Sequence, residues 1–148
     1  MNRLFSPSFE ILLSNRWSKP TWGILAILWM AVIFILSGPW FTSQKTAEFV
    51  PEGYDFNSLV RTGAHLLLYF VLAIFIVKTL PDPLKLPLSP LVLAILLSCL
   101  CGVTDEIHQH FVPGRHFRIQ DMFTDSVGAL LIWPFMKVIG RFYPPYRK

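Results

Sequence analysis

Apolar residues run along this chain in four long stretches, separated by polar and proline-rich breaks. They cover about 22–37, 59–77, 90–111 and 119–140. A helix needs about 20 apolar residues, within a range of roughly 17 to 25, to cross a bilayer core. The first stretch is short and extends to Thr21 or Pro39 if it spans. The third and fourth reach a full span only if their polar ends, 105–109 and 121–125, continue as helix. Pro20, Pro39, Pro81, Pro83, Pro87, Pro113, Pro144 and Pro145 fall in connections or at ends, where a missing N–H is tolerated. Pro134 lies inside the fourth stretch and predicts a kink, which membrane helices accept when neighbours satisfy the freed backbone. The pattern predicts an all-α, membrane-embedded four-helix bundle with short loops, forming one domain over 1–148.

Composition strengthens that picture. Hydrophobic residues make up 53% of the chain and charged residues 15%, against about 25% charged in soluble proteins. Lipid is therefore the expected solvent for much of the surface. The net charge of +4 is modest, and no basic stripe has nucleic-acid motif spacing, so nucleic acid is set aside as a partner. Near the start of the chain Glu10 interrupts a short apolar segment and no small-residue cleavage site follows, so no cleavable signal peptide is expected. Residues 9–17 read instead as a short interfacial helix, with Phe9, Leu12 and Leu13 toward lipid. Cys99 and Cys101 lie two apart in an apolar run and point in different directions on a helix. They read as small buried groups, not as a disulfide or metal site.

Charge sets an orientation. The segments 1–21, 78–89 and 137–148 hold nine of the thirteen Lys and Arg residues, and the opposite set holds only Lys45, Arg61, Arg115 and Arg118. The positive-inside rule then places both termini in the cytoplasm. Of the acids, only Glu10 and Asp82 fall on that side. Trp22 and Trp40 suit the inner and outer interfacial belts.

The chemistry is concentrated on the other side, in 104–125. This stretch holds Asp105, Glu106, Asp121 and Asp125, together with Arg115, Arg118, His108, His110 and His116. Ionisable groups at a bilayer edge are costly and call for a reason. His65, Asp105 and Asp125 each lie six residues from the outer end of their span, about 9 Å deep. Arg61, His65 and Tyr69 form one stripe at helical spacing, Asp105 and Gln109 a second, and Asp121, Asp125 and Gly128 a third. Gly128 and Ala129 allow a neighbouring helix to come close. A purely architectural reading stands beside this one. Asp105 or Asp121 pairing with Arg61 or Arg115 would lock the bundle without chemistry. Asp121 would also serve as an N-cap, and residues 112–115 as a tight turn. His110, His116 and Lys45 read as solvated loop residues, and Trp29 and Trp133 as packing or lipid-facing groups.

These residues resemble the VanZ-like family of small bacterial membrane proteins. On the second span the resemblance rests on Asn57, Arg61, His65 and Tyr69. On the third it rests on Asp105, Glu106, Gln109, Phe111, Pro113, Gly114 and Arg115, followed by Asp121, with Asp125 and Gly128 matching further on. The end of the first span, Leu36-Ser37-Gly38-Pro39, is similar to the family's Ser-Ser before a proline-bearing loop. Thr62, Leu68 and Gly38 depart from frequent Lys, Glu and Ser, so charged or polar roles there do not carry over. The resemblance covers about 22–140. It implies a multi-pass protein of the bacterial cytoplasmic membrane, in a family associated with tolerance to teicoplanin, with no settled reaction.

Two function classes follow. In the favoured, non-enzymatic one, an outward-facing pocket binds an anionic lipid head group, a cell-wall precursor or a lipoglycopeptide. Arg115 is the first anion contact, since guanidinium forks onto phosphate or carboxylate, and Arg61 is the second. Asp105, Glu106 and Asp121 hold the arginines, Asp125 lines the same recess, and His65, Gln109 and Tyr69 add neutral hydrogen bonds. In the alternative, a membrane hydrolase or transferase acts on a lipid-linked substrate. His65 with Asp105 or Glu106 is then the acid–base pair, or His65, Asp105, His108 and Asp121 bind a metal. No His-Glu-x-x-His element and no Gly-x-Ser-x-Gly elbow is present. No cofactor is implied. Protein partners in a larger envelope complex are a third possibility that the residues neither favour nor oppose.

Overall fold

The computed structural model describes residues 18–41, 54–80, 88–115 and 117–142. The proposed interfacial segment at 9–17, Lys45 and His116 lie outside these. Every regular element among the described residues is helical.

Helix α1 spans Lys19–Leu36, opening with Pro20 in its first turn, where the lost N–H has no helical partner anyway. It stops because Pro39 disfavours helical backbone in the residue before it. Ser37 and Gly38 close the end onto Ile33 and Ile35 carbonyls, and a 3-10 turn covers Pro39–Phe41. Helix α2, Tyr54–Thr79, begins before the expected start at 59 and is the longest. Helix α3, Pro90–His110, is capped by Ser89, whose hydroxyl accepts from the Val92 N–H, and it carries the polar end as helix.

The stretch from 119 onward is interrupted. Helix α4 covers Ile119–Leu130 and α5 covers Ile132–Phe142, with Leu131 between them. Pro134 is the cause: it has no N–H to offer the Leu130 carbonyl, and its ring crowds that carbonyl. The disturbance expected from Pro134 thus shows as a break in the helix at Leu131. Among the described residues three helical segments, Lys19–Leu36, Ser58–Thr79 and Pro90–His110, are long and apolar enough to cross a membrane.

Helix α2 is the hub, packing against α1, α3 and α4. Its Tyr69, Leu72, Ala73, Ile76 and Val77 are buried, with Ala94 of α3, Ala129 of α4 and Ile132 and Met136 of α5. Trp29 on α1 donates from Nε1 to the Leu68 carbonyl at 2.9 Å, so this tryptophan is a packing group. Outside, large apolar side chains face away from the bundle, among them Ile24, Leu28, Leu67, Leu100, Phe123 and Trp133. An apolar exterior around a partly polar interior is the arrangement that lipid favours. The chain is a membrane protein of helical-bundle architecture. Cys99 and Cys101 are free and partly buried, and Cys101 Sγ lies 3.5 Å from Met30 Sδ.

Candidate functional site

The hydrophilic groups of separate helices meet at one end of the bundle. On α3 the four-residue spacing puts Asp105 and Gln109 on one face, and both are buried. Gln109 Nε2 donates to Asp105 Oδ2 at 2.8 Å, and Ser37 at the end of α1 donates its hydroxyl to the same oxygen at 2.7 Å. The chain then turns through residues 112–115, where the Arg115 N–H donates to the Val112 carbonyl at 3.1 Å. Gly114 takes φ 80°, the left-handed backbone that the third position of a Pro-Gly turn requires.

That turn directs Arg115 back onto α1. Its Nη2 donates to the Leu36 carbonyl at 2.7 Å and its Nη1 to Gln109 Oε1 at 3.1 Å. The last carbonyls of a helix have no intrahelical donor and carry partial negative charge, so a guanidinium suits them. Burial, and then the like charge of Arg61, pull the Arg115 guanidinium below its ordinary pKa. A guanidinium nonetheless stays charged across the physiological range.

A second set joins α2 to α4. His65 Nδ1 and Asp125 Oδ1 are 2.7 Å apart, and Asp125 is fully buried. One turn further out, Arg61 Nη2 reaches Asp121 Oδ2 at 3.5 Å, with both side chains partly exposed. The helices come this close because Gly128 packs directly on the Leu66 backbone: a Cβ there would lie 2.6 Å from the Leu66 carbonyl oxygen. Gly102 does the same for α3, with a Cβ position 3.0 Å from Asp125 Cβ and 3.5 Å from Tyr69 Cε1. Glu106, fully buried, accepts the Arg118 backbone N–H at 2.9 Å and so holds the start of α4.

Among the described residues, several buried polar atoms have no hydrogen-bond partner: Tyr69 Oη, Asp105 Oδ1, Glu106 Oε1, Asp125 Oδ2 and His108 Nδ1. Buried polar groups are ordinarily satisfied, so this concentration of orphaned atoms sets the polar end apart from the rest of the bundle. Part of it borders a cleft of about 140 Å³ between α1 and α3, lined by Met30, Ile33, Phe34, Tyr69, Cys101, Thr104 and Asp105.

The structure brings together Arg61, His65, Asp121 and Asp125 on one side, and Asp105, Gln109 and Arg115 on the other. Tyr69 and Glu106 lie in the same interior. Several expected roles change. Arg115 is anchored to the α1 end instead of standing ready for an anion. Asp105 takes the Ser37 hydroxyl and the Gln109 amide, Glu106 takes a backbone N–H, and Asp121 pairs with Arg61. Asp121 is not the N-cap; Arg118 occupies that position, and Asp121 sits in the first turn. His108 stacks on Phe34 with ring centroids 3.7 Å apart. Among the described residues no group of three or more His, Cys, Asp or Glu side chains converges to hold a metal ion. The metal set of His65, Asp105, His108 and Asp121 is therefore not assembled. Ser37 and the Leu36 carbonyl were not singled out from sequence, although the serine before the proline-bearing loop was the available signal.

The sequence model of the family described as VanZ/LLP1 matches residues 22–140, which include all of these side chains. No curated protein and no solved structure matches the chain.

Proposed function

The chain belongs to the VanZ/LLP1 family, and we propose that it is a multi-pass protein of the bacterial cytoplasmic membrane whose polar end faces outward and binds an anionic lipid head group, cell-wall precursor or lipoglycopeptide. The charge split along the sequence supports the orientation, with both termini cytoplasmic. The observation that carries the binding role is the loose pair at the polar end of the bundle, where Arg61 Nη2 stands 3.5 Å from Asp121 Oδ2 and both side chains are partly exposed. Arg61 replaces Arg115 as the principal anion contact. Its contact with Asp121 is long, its side chain remains partly exposed, and an incoming phosphate offers it a stronger partner. Arg118 is exposed just beyond.

The test is the lipid retained after mild extraction, measured by mass spectrometry. Arg61→Ala is expected to lower retention of anionic lipid about tenfold, the worth of one charge-assisted hydrogen bond. Unchanged retention would end this reading.

One observation favours a second reading, a membrane enzyme acting on a lipid-linked substrate. A histidine whose Nδ1 is held by a buried carboxylate is the arrangement of an oriented acid–base imidazole. In this version His65 transfers the proton, Asp125 orients it, and Asp105 or Glu106 is the partner acid. Purified protein incubated with synthetic lipid-linked diphosphates is then expected to yield a product that His65→Gln abolishes. A product that persists in that variant counts against it.

A further inference from the structure

We propose that the cleft between α1 and α3 is an alkylammonium site, with the ammonium on Asp105 Oδ1 beside Tyr69 Oη and the hydrocarbon chain against Met30, Ile33 and Phe34. The inference is independent of anion binding at Arg61, because the chemistry is opposite and the residues differ: Arg61 meets Asp121 of α4, whereas the cleft is lined from α1, α3 and Tyr69 of α2.

Asp105 is only 5% exposed and Tyr69 1%; both residues line the cleft, and their buried Asp105 Oδ1 and Tyr69 Oη have no partner among the described residues. Both donors that reach Asp105, the Ser37 hydroxyl and the Gln109 amide, bond to Oδ2 and are neutral. Arg115 is connected to this carboxylate through Gln109. A buried carboxylate is stable when a positive donor meets it, and its charge turns away anions. The Thr104 hydroxyl does not compete, since it donates to the Cys101 carbonyl at 2.8 Å. The remaining walls are apolar or sulfur-bearing. The cleft's volume of about 140 Å³ equals the share of about four or five waters in the liquid. That is room for an ammonium and its first few carbons, with the rest of the chain leaving through the open side into lipid. Ammonium has three donors, enough to serve Asp105 Oδ1 and Tyr69 Oη together.

Cys101 lines the same cleft and reports on it. In a Cys99→Ser background, in phosphatidylcholine nanodiscs, alkylation of Cys101 by N-ethylmaleimide is followed by mass spectrometry. Dodecylamine is expected to slow the reaction about tenfold, as one charge-assisted hydrogen bond would, while dodecanol and dodecyl sulfate leave it nearly unchanged. Asp105→Asn should remove that selectivity. Tyr69→Phe deletes only a hydroxyl without a protein partner, so it should keep the fold and raise the amine concentration needed severalfold. If Asp105→Asn is not recovered folded, the head-group comparison on the parent and Tyr69→Phe decide. Protection when phosphatidylethanolamine replaces part of the phosphatidylcholine assigns the ammonium to a membrane lipid; protection by dodecylamine alone assigns it to a free amphiphile. Equal slowing by all three amphiphiles, no slowing by dodecylamine, or an unaltered response in Tyr69→Phe overturns the proposal.

Discussion

Replacing His65 with leucine is expected to cost about 3–5 kcal/mol of stability, the usual result of stripping a buried charge of its partner. Asp125 is fully buried, and the 2.7 Å bond from His65 serves its Oδ1. Its Oδ2 has no partner among the described residues. Leucine at 65 therefore leaves the whole carboxylate without a hydrogen bond from the protein. The reverse change, Asp125→Leu, leaves an imidazole that is partly exposed and able to be neutral. Its cost should be smaller, about 1–3 kcal/mol. The double variant His65→Leu/Asp125→Leu should recover most of the loss, since an apolar pair of similar volume needs no compensation. Unfolding in mixed micelles, followed by circular dichroism, measures all three. A double variant no more stable than His65→Leu would show that the two side chains are not energetically coupled.

Gly128→Val is expected to be the second severe lesion. A Cβ at 128 meets the Leu66 carbonyl oxygen at 2.6 Å and the Leu66 Cα at 3.0 Å, and backbone cannot rotate aside as a side chain can. Alanine alone should cost about 1–3 kcal/mol by overpacking, and valine more. The damage is local to the site, because Leu66 adjoins His65 and Gly128 lies one turn from Asp125. Gly102→Ala should be milder: its nearest contact, Asp125 Cβ, is as fixed as backbone but lies at 3.0 Å against 2.6 Å at Gly128, and the next, Asp125 Oδ2 at 3.2 Å, can rotate. Gly63→Ala is the control. Nothing lies within 4 Å of its Cβ position, so the gain in helix propensity, about 1 kcal/mol, should raise stability. Melting temperatures in one detergent rank the four variants. A Gly128→Val protein as stable as the parent would refute the close contact between α2 and α4.

Three of the four apolar stretches were legible as helices of spanning length, because lipid imposes length and hydropathy directly. Equal depth put His65, Asp105 and Asp125 at one level, but the sequence pairs His65 with Asp105 or Glu106, and its bond to Asp125 was not anticipated. The role of Arg115 was not legible. Its destination depends on where the α1 carbonyls end relative to a turn far along the chain, and no local pattern encodes that. The same holds for Ser37, which reads as loop punctuation before Pro39 until α3 is packed beside it. Glu106 looked like a partner for an arginine side chain, but helix α4 begins close enough to place a backbone N–H there first.

The interruption at Leu131 divides the last apolar stretch into two short helices, and each has its own hold on the core. Helix α4 is tied to α2 by the Gly128 contact and the His65–Asp125 bond. Helix α5 is held by buried Ile132 and Met136 and by Phe135, whose ring meets Phe70 edge-on at 5.1 Å. The break lets each segment seat its own face, so the close approach that glycine imposes beside the polar groups is not forced on the larger side chains that follow it.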